Sequence, residues 1–475
     1  VFNPSNLEQC IGQVAFSSKS TIEQSLDTAS NYFLAWKNIN VEKKIKIIIK
    51  YAELLESNQE KLLKICVLEA GKTIKDAIND IREAIDFCYY YASEALRLFK
   101  KPIELKGPTG EKNKLVYEGK GVFITISPWN FPIAIFTGQI VAPLLAGNTI
   151  IAKPAEQTSI VAYELVKLFL KAGLPQGALQ LLLGEGEYIG NSLLIDKRIK
   201  GVLFTGSCET ANKINSNLNK RDGEIISLTA ETGGLNFMII DSSALTEQVV
   251  DDAVESGFYS AGQRCSALRI LAIQEDVYDR TIKMLKGATN NIKVGLPHLL
   301  STDIGPVIDQ EAKDRINNHI QSFSGKVLAK TPLNNKNDGF YVSPTIIEID
   351  NLSEVKEEIF GPVIHVYKYK ADKLEQLVSD INQMNYGLTL GIQSRIENTI
   401  NYIFNNASIG NIYINRNIVG AVVGVQPFGG RGLSGTGPKA GGPNYLMKFT
   451  NEKTYSYDTT AAGGNASLFM MSENQ

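Results

Sequence analysis

The run Val122-Phe123-Ile124-Thr125-Ile126-Ser127-Pro128-Trp129-Asn130-Phe131-Pro132 decides how this chain folds. β-prone apolar residues lead into a Ser-Pro turn, and helical spacing takes over near residue 133. A short apolar run, a breaker and then a helical period describe a strand feeding a helix. The unit recurs. Strands are expected at Val122–Ile126, Thr149–Lys153, Leu179–Leu183, Val202–Thr205 and Glu224–Thr229, with helices near 133–145, 158–172, 187–194 and 207–219 between them. That alternation implies a parallel doubly wound sheet, which binds ligands at the carboxyl ends of its strands. Asn130, Lys153 to Glu156, and Gly206-Ser207 stand at those ends.

Upstream, residues 20–100 read as helices. Ser20-Thr21-Ile22-Glu23 offers a capping box with Ser20 as N-cap. Gly71 breaks the pattern, and a longer helix is expected through Phe99, with Tyr89, Tyr90 and Tyr91 in its packing. Ile103–Lys106 and Lys114–Glu118 flank the turn Gly107-Pro108-Thr109-Gly110, a hairpin outside the rhythm and suited to subunit contacts. A second alternating region runs from Asn236–Ile240 to about residue 430. Lys453–Tyr457 is strand-like, and a Gly/Ala/Ser tail is expected to be mobile.

At 475 residues the chain has room for two or three cores. A net charge of −2 gives no reason to expect a nucleic-acid partner, and no apolar run is long enough for direct membrane insertion. Val1-Phe2-Asn3-Pro4 resembles neither a signal peptide nor a natural start, so a fragment of a longer chain is expected. The five cysteines are scattered and form no Cys-x-x-Cys pair. They point to a reducing, cytoplasmic setting and away from zinc. The three histidines (His298, His319, His365) lack ligand spacing, which argues against metal chemistry and a histidine base.

The chemistry centres on Gly262-Gln263-Arg264-Cys265-Ser266. A thiol in a polar turn beside a cation ionises more easily than a free cysteine, and the thiolate is the nucleophile. Glu231, before Gly233-Gly234 in an expected loop, reads as a base or as a plain surface charge. Asn130 offers amide donors to an oxyanion, or caps a helix before Pro132. Lys153 and Glu156 suit the two hydroxyls of a ribose, or are two exposed charges. Gly206-Ser207 opens a helix whose amides and dipole favour phosphate. Cys208 is a rival nucleophile or a small helix residue.

In this order the motifs resemble the aldehyde dehydrogenase superfamily: Pro-Trp-Asn-Phe-Pro, Lys153 with Glu156, Phe-Thr-Gly-Ser, Glu231 before Gly-Gly, Gly-Gln-Arg-Cys, Glu357-Glu358-Ile359-Phe360-Gly361-Pro362 and Pro427-Phe428-Gly429-Gly430. The resemblance covers essentially the whole chain. It is nearest to the aldehyde dehydrogenase module of bifunctional proline utilisation A proteins, through Ser260 to Arg269 and Gly420 to Pro443. It implies an α/β fold with a Rossmann-type NAD-binding domain (1–101 and 122–234), an α/β catalytic domain (235–433) and a small β oligomerisation element (102–121 and 446–460). It further implies NAD-dependent oxidation of L-glutamate γ-semialdehyde to L-glutamate through a Cys265 thioester, with Asn130 holding the oxyanion and Glu231 activating water.

By the same resemblance, Lys153, Glu156, Gly206, Ser207, Glu358 and Phe360 hold NAD. Phe131, Ser266, Gly420, Ala421 and Phe428 hold the substrate. A homo-oligomer is expected, and a covalently linked upstream proline dehydrogenase domain is left open. Thr232 stands where the superfamily usually has Leu, and Cys208 where it usually has Thr. The rival readings are a dehydrogenase of another semialdehyde or aliphatic aldehyde, a CoA-acylating relative, and a non-catalytic one.

Overall fold

The computed structural model describes residues 1–107, 110–333 and 338–458. Pro108 and Thr109 of the expected hairpin turn, residues 459 and 460, and the Gly/Ala/Ser tail lie outside them. The alternation from residue 122 builds a five-stranded parallel sheet. Its order is Leu179–Leu181, Thr149–Pro154, Val122–Ser127, Ile199–Gly206, Ser227–Thr232. Val122, Ile124, Ile151, Val202 and Phe204 face one core, shared with Ile22, Leu26 and Ala29 of the first helix. Phe123, Ile150, Ala152 and Leu203 face the other. A parallel strand covered on both faces is apolar at nearly every position, so its signal is a run and not an alternation.

The first helix, Lys19–Lys37, starts earlier than expected. Ser18 is its N-cap and accepts from the Thr21 N–H at 3.2 Å. Ser18 has the extended backbone that a cap needs (φ −77°, ψ 167°), whereas Ser20 already lies inside the helix. The long helix Ile74–Phe99 begins at Thr73 and buries Ala77, Ile81, Ala84, Cys88, Tyr91 and Ala95 along one stripe. That stripe shares its core with the largely apolar helix Ala134–Leu145, which follows the Asn130 turn. Of the three tyrosines, Tyr91 is fully buried and Tyr89 is exposed.

A second sheet has seven strands: Val327–Lys330, Thr345–Ile349, Val363–Tyr369, Leu268–Gln274, Asn236–Ile240, Thr389–Gln393, Asn411–Ile414. All its pairings are parallel except the first. Thr450–Asp458 pairs along the whole of Glu111–Gly119, which pairs in turn with Ile103–Leu105. Among the described residues no helix is long and apolar enough to cross a membrane. The carboxyl edge of the five-stranded sheet meets the amino edge of the seven-stranded one. Residues at the end of one set of strands therefore face the loops that begin the other.

Candidate active site

Cys265 sits on a turn with unusual backbone. After the helix Thr246–Phe258, Ser260 (φ 56°), Ala261 (φ 54°) and Gly262 (φ 64°) are left-handed in succession. Each such non-glycine residue costs on the order of 1–3 kcal/mol and persists only where its surroundings dictate it. Here they do. Arg269, almost fully buried, donates to the carbonyls of Gly262 (2.8 Å), Gly361 (3.1 Å) and Arg264 (3.1 Å) and pairs with Glu358 at 3.0 Å. Gly262 approaches Gly361 so closely that a Cβ would lie 2.1 Å from its carbonyl oxygen. Asn236 Nδ2 donates to the carbonyls of Cys265 (2.7 Å) and Ala267 (2.8 Å). Asn236 carries no local sequence signal, because its partners are distant in the chain, and Arg269 ties its near neighbours Gly262 and Arg264 to the distant Glu358 and Gly361.

Cys265, Ser266, Glu231, Phe131, Gly420, Ala421 and Phe428 line one cavity of about 360 Å³. Gly420 is left-handed (φ 72°), a conformation glycine adopts without strain. Asn130 is not in that lining. Its Nδ2 donates instead to the Gln263 carbonyl at 3.0 Å, two residues before the thiol, and its amide carries a second hydrogen.

Two expectations need correction. Glu231 is not in a loop; it lies in the strand Ser227–Thr232, whose pairing continues to Gly206↔Thr232. The glycines that suggested a loop follow the strand end. Arg264 does not ease ionisation of Cys265. Its guanidinium turns to Asp76 (2.7 Å) and Ser260 (2.9 Å). Burial, with the Glu358, Glu231 and Glu83 charges, pushes the Cys265 thiol up to about 12, against a hydrogen bond from the Ser266 N–H.

Glu231 accepts from the Gly430 N–H at 3.0 Å through one oxygen, while the other is buried without a partner. Burial pushes its carboxyl up to about 8, opposed by the Gly430 bond and the Lys439 charge. The sequence reading missed Asn79, Arg82, Glu83 and Asp86, one face of the helix Ile74–Phe99 that also lines the cavity. Burial, and then the Asp80 charge, raises Glu83 to about 8.

The remaining expected residues are outside that cavity lining. Lys153, buried at the end of its strand, pairs at 2.9 Å with the half-exposed Glu156. Ser207 caps the helix Cys208–Asn219, but its hydroxyl is engaged by Thr210 of that helix, so only the first-turn amides are presented. Glu358 is held by Arg269, and the Phe360 ring packs edge-on to Trp129 at 5.6 Å. A cation and an open carboxylate at one strand end, with helix amides at the end of another strand of the same sheet, form a donor set that could hold a dinucleotide. The two positions that depart from the superfamily pattern converge: Cys208 Sγ (3.1 Å) and Thr232 Oγ1 both donate to the Leu433 carbonyl. His319 and His365 bond each other through Nε2 at 2.8 Å, outside the cavity.

The sequence pattern described as "Aldehyde dehydrogenase family" matches residues 1–455. The chain is 47% identical over 464 residues to the bifunctional protein PutA of Klebsiella aerogenes, covering 95% of this chain and 34% of that protein. It therefore spans about a third of the length of that relative. It is 37% identical over 462 residues to the 1-pyrroline-5-carboxylate dehydrogenase of Anoxybacillus flavithermus, covering 96% of this chain and 89% of that protein. The crystal structure of 1-pyrroline-5-carboxylate dehydrogenase from Thermus with bound NAD superposes with a TM-score of 0.91 at 33% identity, covering 96% of this chain and 89% of that one.

Proposed function

This chain belongs to the aldehyde dehydrogenase family, and from that premise we propose that it oxidises L-glutamate γ-semialdehyde, the open form of 1-pyrroline-5-carboxylate, to L-glutamate with NAD. One observation carries the reading. A thiol, a buried carboxyl with an unpaired oxygen, two aromatic rings and a glycine-bearing turn line a single cavity of substrate size.

Cys265 Sγ bonds the aldehyde carbon after releasing its proton to water, and the carbonyl oxygen gains the charge. The Asn130 amide and the Cys265 N–H stabilise that oxyanion. A bound nicotinamide cofactor supplies the hydride acceptor; Lys153 and Glu156 would hold its ribose, the amides after Gly206-Ser207 its phosphates, and Glu358 with Phe360 its nicotinamide end. Cys265 then carries the acyl group as a thioester. Glu231, in its carboxylate form, takes a proton from water as the water attacks; the acid leaves and the thiol is restored.

The cavity suits a substrate with charge at its far end. Phe131 and Phe428 flank the carbon chain. The Ser266 hydroxyl and the Gly420 and Ala421 amides receive the α-carboxylate, and Glu83 faces the ammonium. Glu156 beside the ribose would repel a 2′-phosphate, which favours NAD over NADP. In the longer setting of the bifunctional relatives, an upstream proline dehydrogenase domain would supply the substrate. The three-stranded sheet that ends at Asp458 would join subunits of a cytoplasmic homo-oligomer. Purified chain given the semialdehyde and NAD should produce NADH absorbance, and Cys265→Ser should not. No NADH from the parent chain would overturn the reading.

A further inference from the structure

Asn130 and Phe131 stand on a short turn between a strand and a helix, and residues far upstream fix that turn. Lys72 lies between Gly71 and the Thr73 cap of the helix Ile74–Phe99 and is only 7% exposed. Its Nζ donates to the Asn130 backbone carbonyl at 2.6 Å and lies 4.4 Å from the Phe131 ring centroid. Its charge is balanced by Asp80, whose Oδ2 is 3.8 Å away. Asp80 is fully buried, and its other oxygen accepts from the Ala134 N–H at 2.8 Å, at the start of the next helix. The turn is thus held at its carbonyl by a cation and at its following amide by an anion, both supplied by one upstream segment.

The Cys265 loop is tied to the same segment. Asp76, one turn before Asp80, pairs with Arg264 at 2.7 Å, and the Arg264 guanidinium lies 5.6 Å from the Phe131 ring. The two loops meet through Asn130 Nδ2 and the Gln263 carbonyl. An ion set this buried carries a large desolvation cost and is weak evidence for stability in its own right. Its members converge on the two residues whose placement the oxyanion and the substrate chain require.

We propose that Lys72 is a positioning residue for the oxyanion site: by gripping the Asn130 carbonyl and covering the Phe131 ring, it aims the Asn130 amide at the Cys265 loop. This rests on the reading of Asn130 as the oxyanion donor. Lys72 lines no part of the main cavity and touches no substrate; it acts through Asn130. A displaced donor loses stabilisation of the transition state and not of the bound substrate, so the defect belongs in kcat and not in KM.

Lys72→Met removes the ammonium at similar length, and Lys72→Gln keeps a shorter neutral donor. Each is made in the full chain, alone and with Asn130→Ala, and followed by NADH release and by thermal melting. Lys72→Met should lower kcat by about 10- to 100-fold with KM little changed, the scale expected for a misplaced catalytic group. Lys72→Gln should lose less. Adding Lys72→Met to Asn130→Ala should cost almost nothing further, because one acts through the other. Losses that multiply, a change confined to KM, or loss of the cooperative melt in both Lys72 variants would overturn the proposal. Parent-rate turnover by Asn130→Ala would take down the oxyanion assignment and this inference together. Impaired Asn130→Ala beside unimpaired Lys72→Met would overturn the Lys72 role alone.

Discussion

Cys265 and Cys208 both follow a glycine-bearing turn, and their surroundings are opposites. Cys208 opens the helix Cys208–Asn219, and its thiol donates to the Leu433 carbonyl at 3.1 Å, outside the cavity. Cys265 is buried among Glu358, Glu231 and Glu83, which push its thiol up to about 12. What Cys265 has instead is a cavity, an Asn130 amide tied to its own loop, and Glu231 in the same wall. In the proposed reading, that difference makes the surroundings of the bound carbonyl the feature that sets the nucleophile.

The largest expected effect follows directly. Cys265→Ser should abolish turnover while NAD still binds, and Cys208→Ser should leave turnover nearly unchanged. Steady-state NADH formation compares them, and the reverse pattern would exchange the two roles. Asn130→Ala should follow with a loss of about a hundred- to a thousand-fold in kcat, the usual cost of one oxyanion donor. An altered melting profile that accounts for the whole loss would leave Asn130 structural.

Glu231 sharpens the comparison by pH. Its carboxyl is raised to about 8, so it is protonated below that pH and becomes a competent base as pH rises through it. Steady-state turnover should therefore climb through about pH 8. Glu231→Gln should remove that rise and show a fast first turnover of NADH followed by slow release. A first turnover slowed as much as later ones would assign Glu231 another role. A smaller effect is expected at the cofactor end, where catalytic efficiency should favour NAD over NADP and Glu156→Gln should narrow the gap. Equal efficiencies in the parent chain would mean that Glu156 does not face the ribose.

The parts legible in the sequence are those with a local physical signal. The run Val122–Ser127 and the strand Asn236–Ile240 announce themselves because buried parallel strands are continuously apolar. Cys265, Ser266, Gly420 and Phe428 share a cavity that no periodicity could reveal; the family resemblance anticipated it, and their juxtaposition in the fold now supports it. Ser18 and Ser20 offer the same capping chemistry, and only backbone angles separate them. Arg264 adjoins Cys265 in sequence, yet its charge is spent on Asp76, 188 residues away. Lys72 and Asn236 were missed for the same reason: each works through partners that only the fold brings near.

Selection by the far end of the cavity is the central claim, and a ratio tests it most directly. In the proposed reading, Ser266, the Gly420 and Ala421 amides and Glu83 receive an α-carboxylate and an ammonium, and a site built for polar groups rejects a substrate lacking them. The measurement is kcat/KM for L-glutamate γ-semialdehyde against pentanal, under the same conditions and with the same enzyme. The account predicts a preference for the semialdehyde of at least about a hundredfold, the discrimination available when a buried donor would be left unpaired. Equal efficiency with pentanal would contradict it.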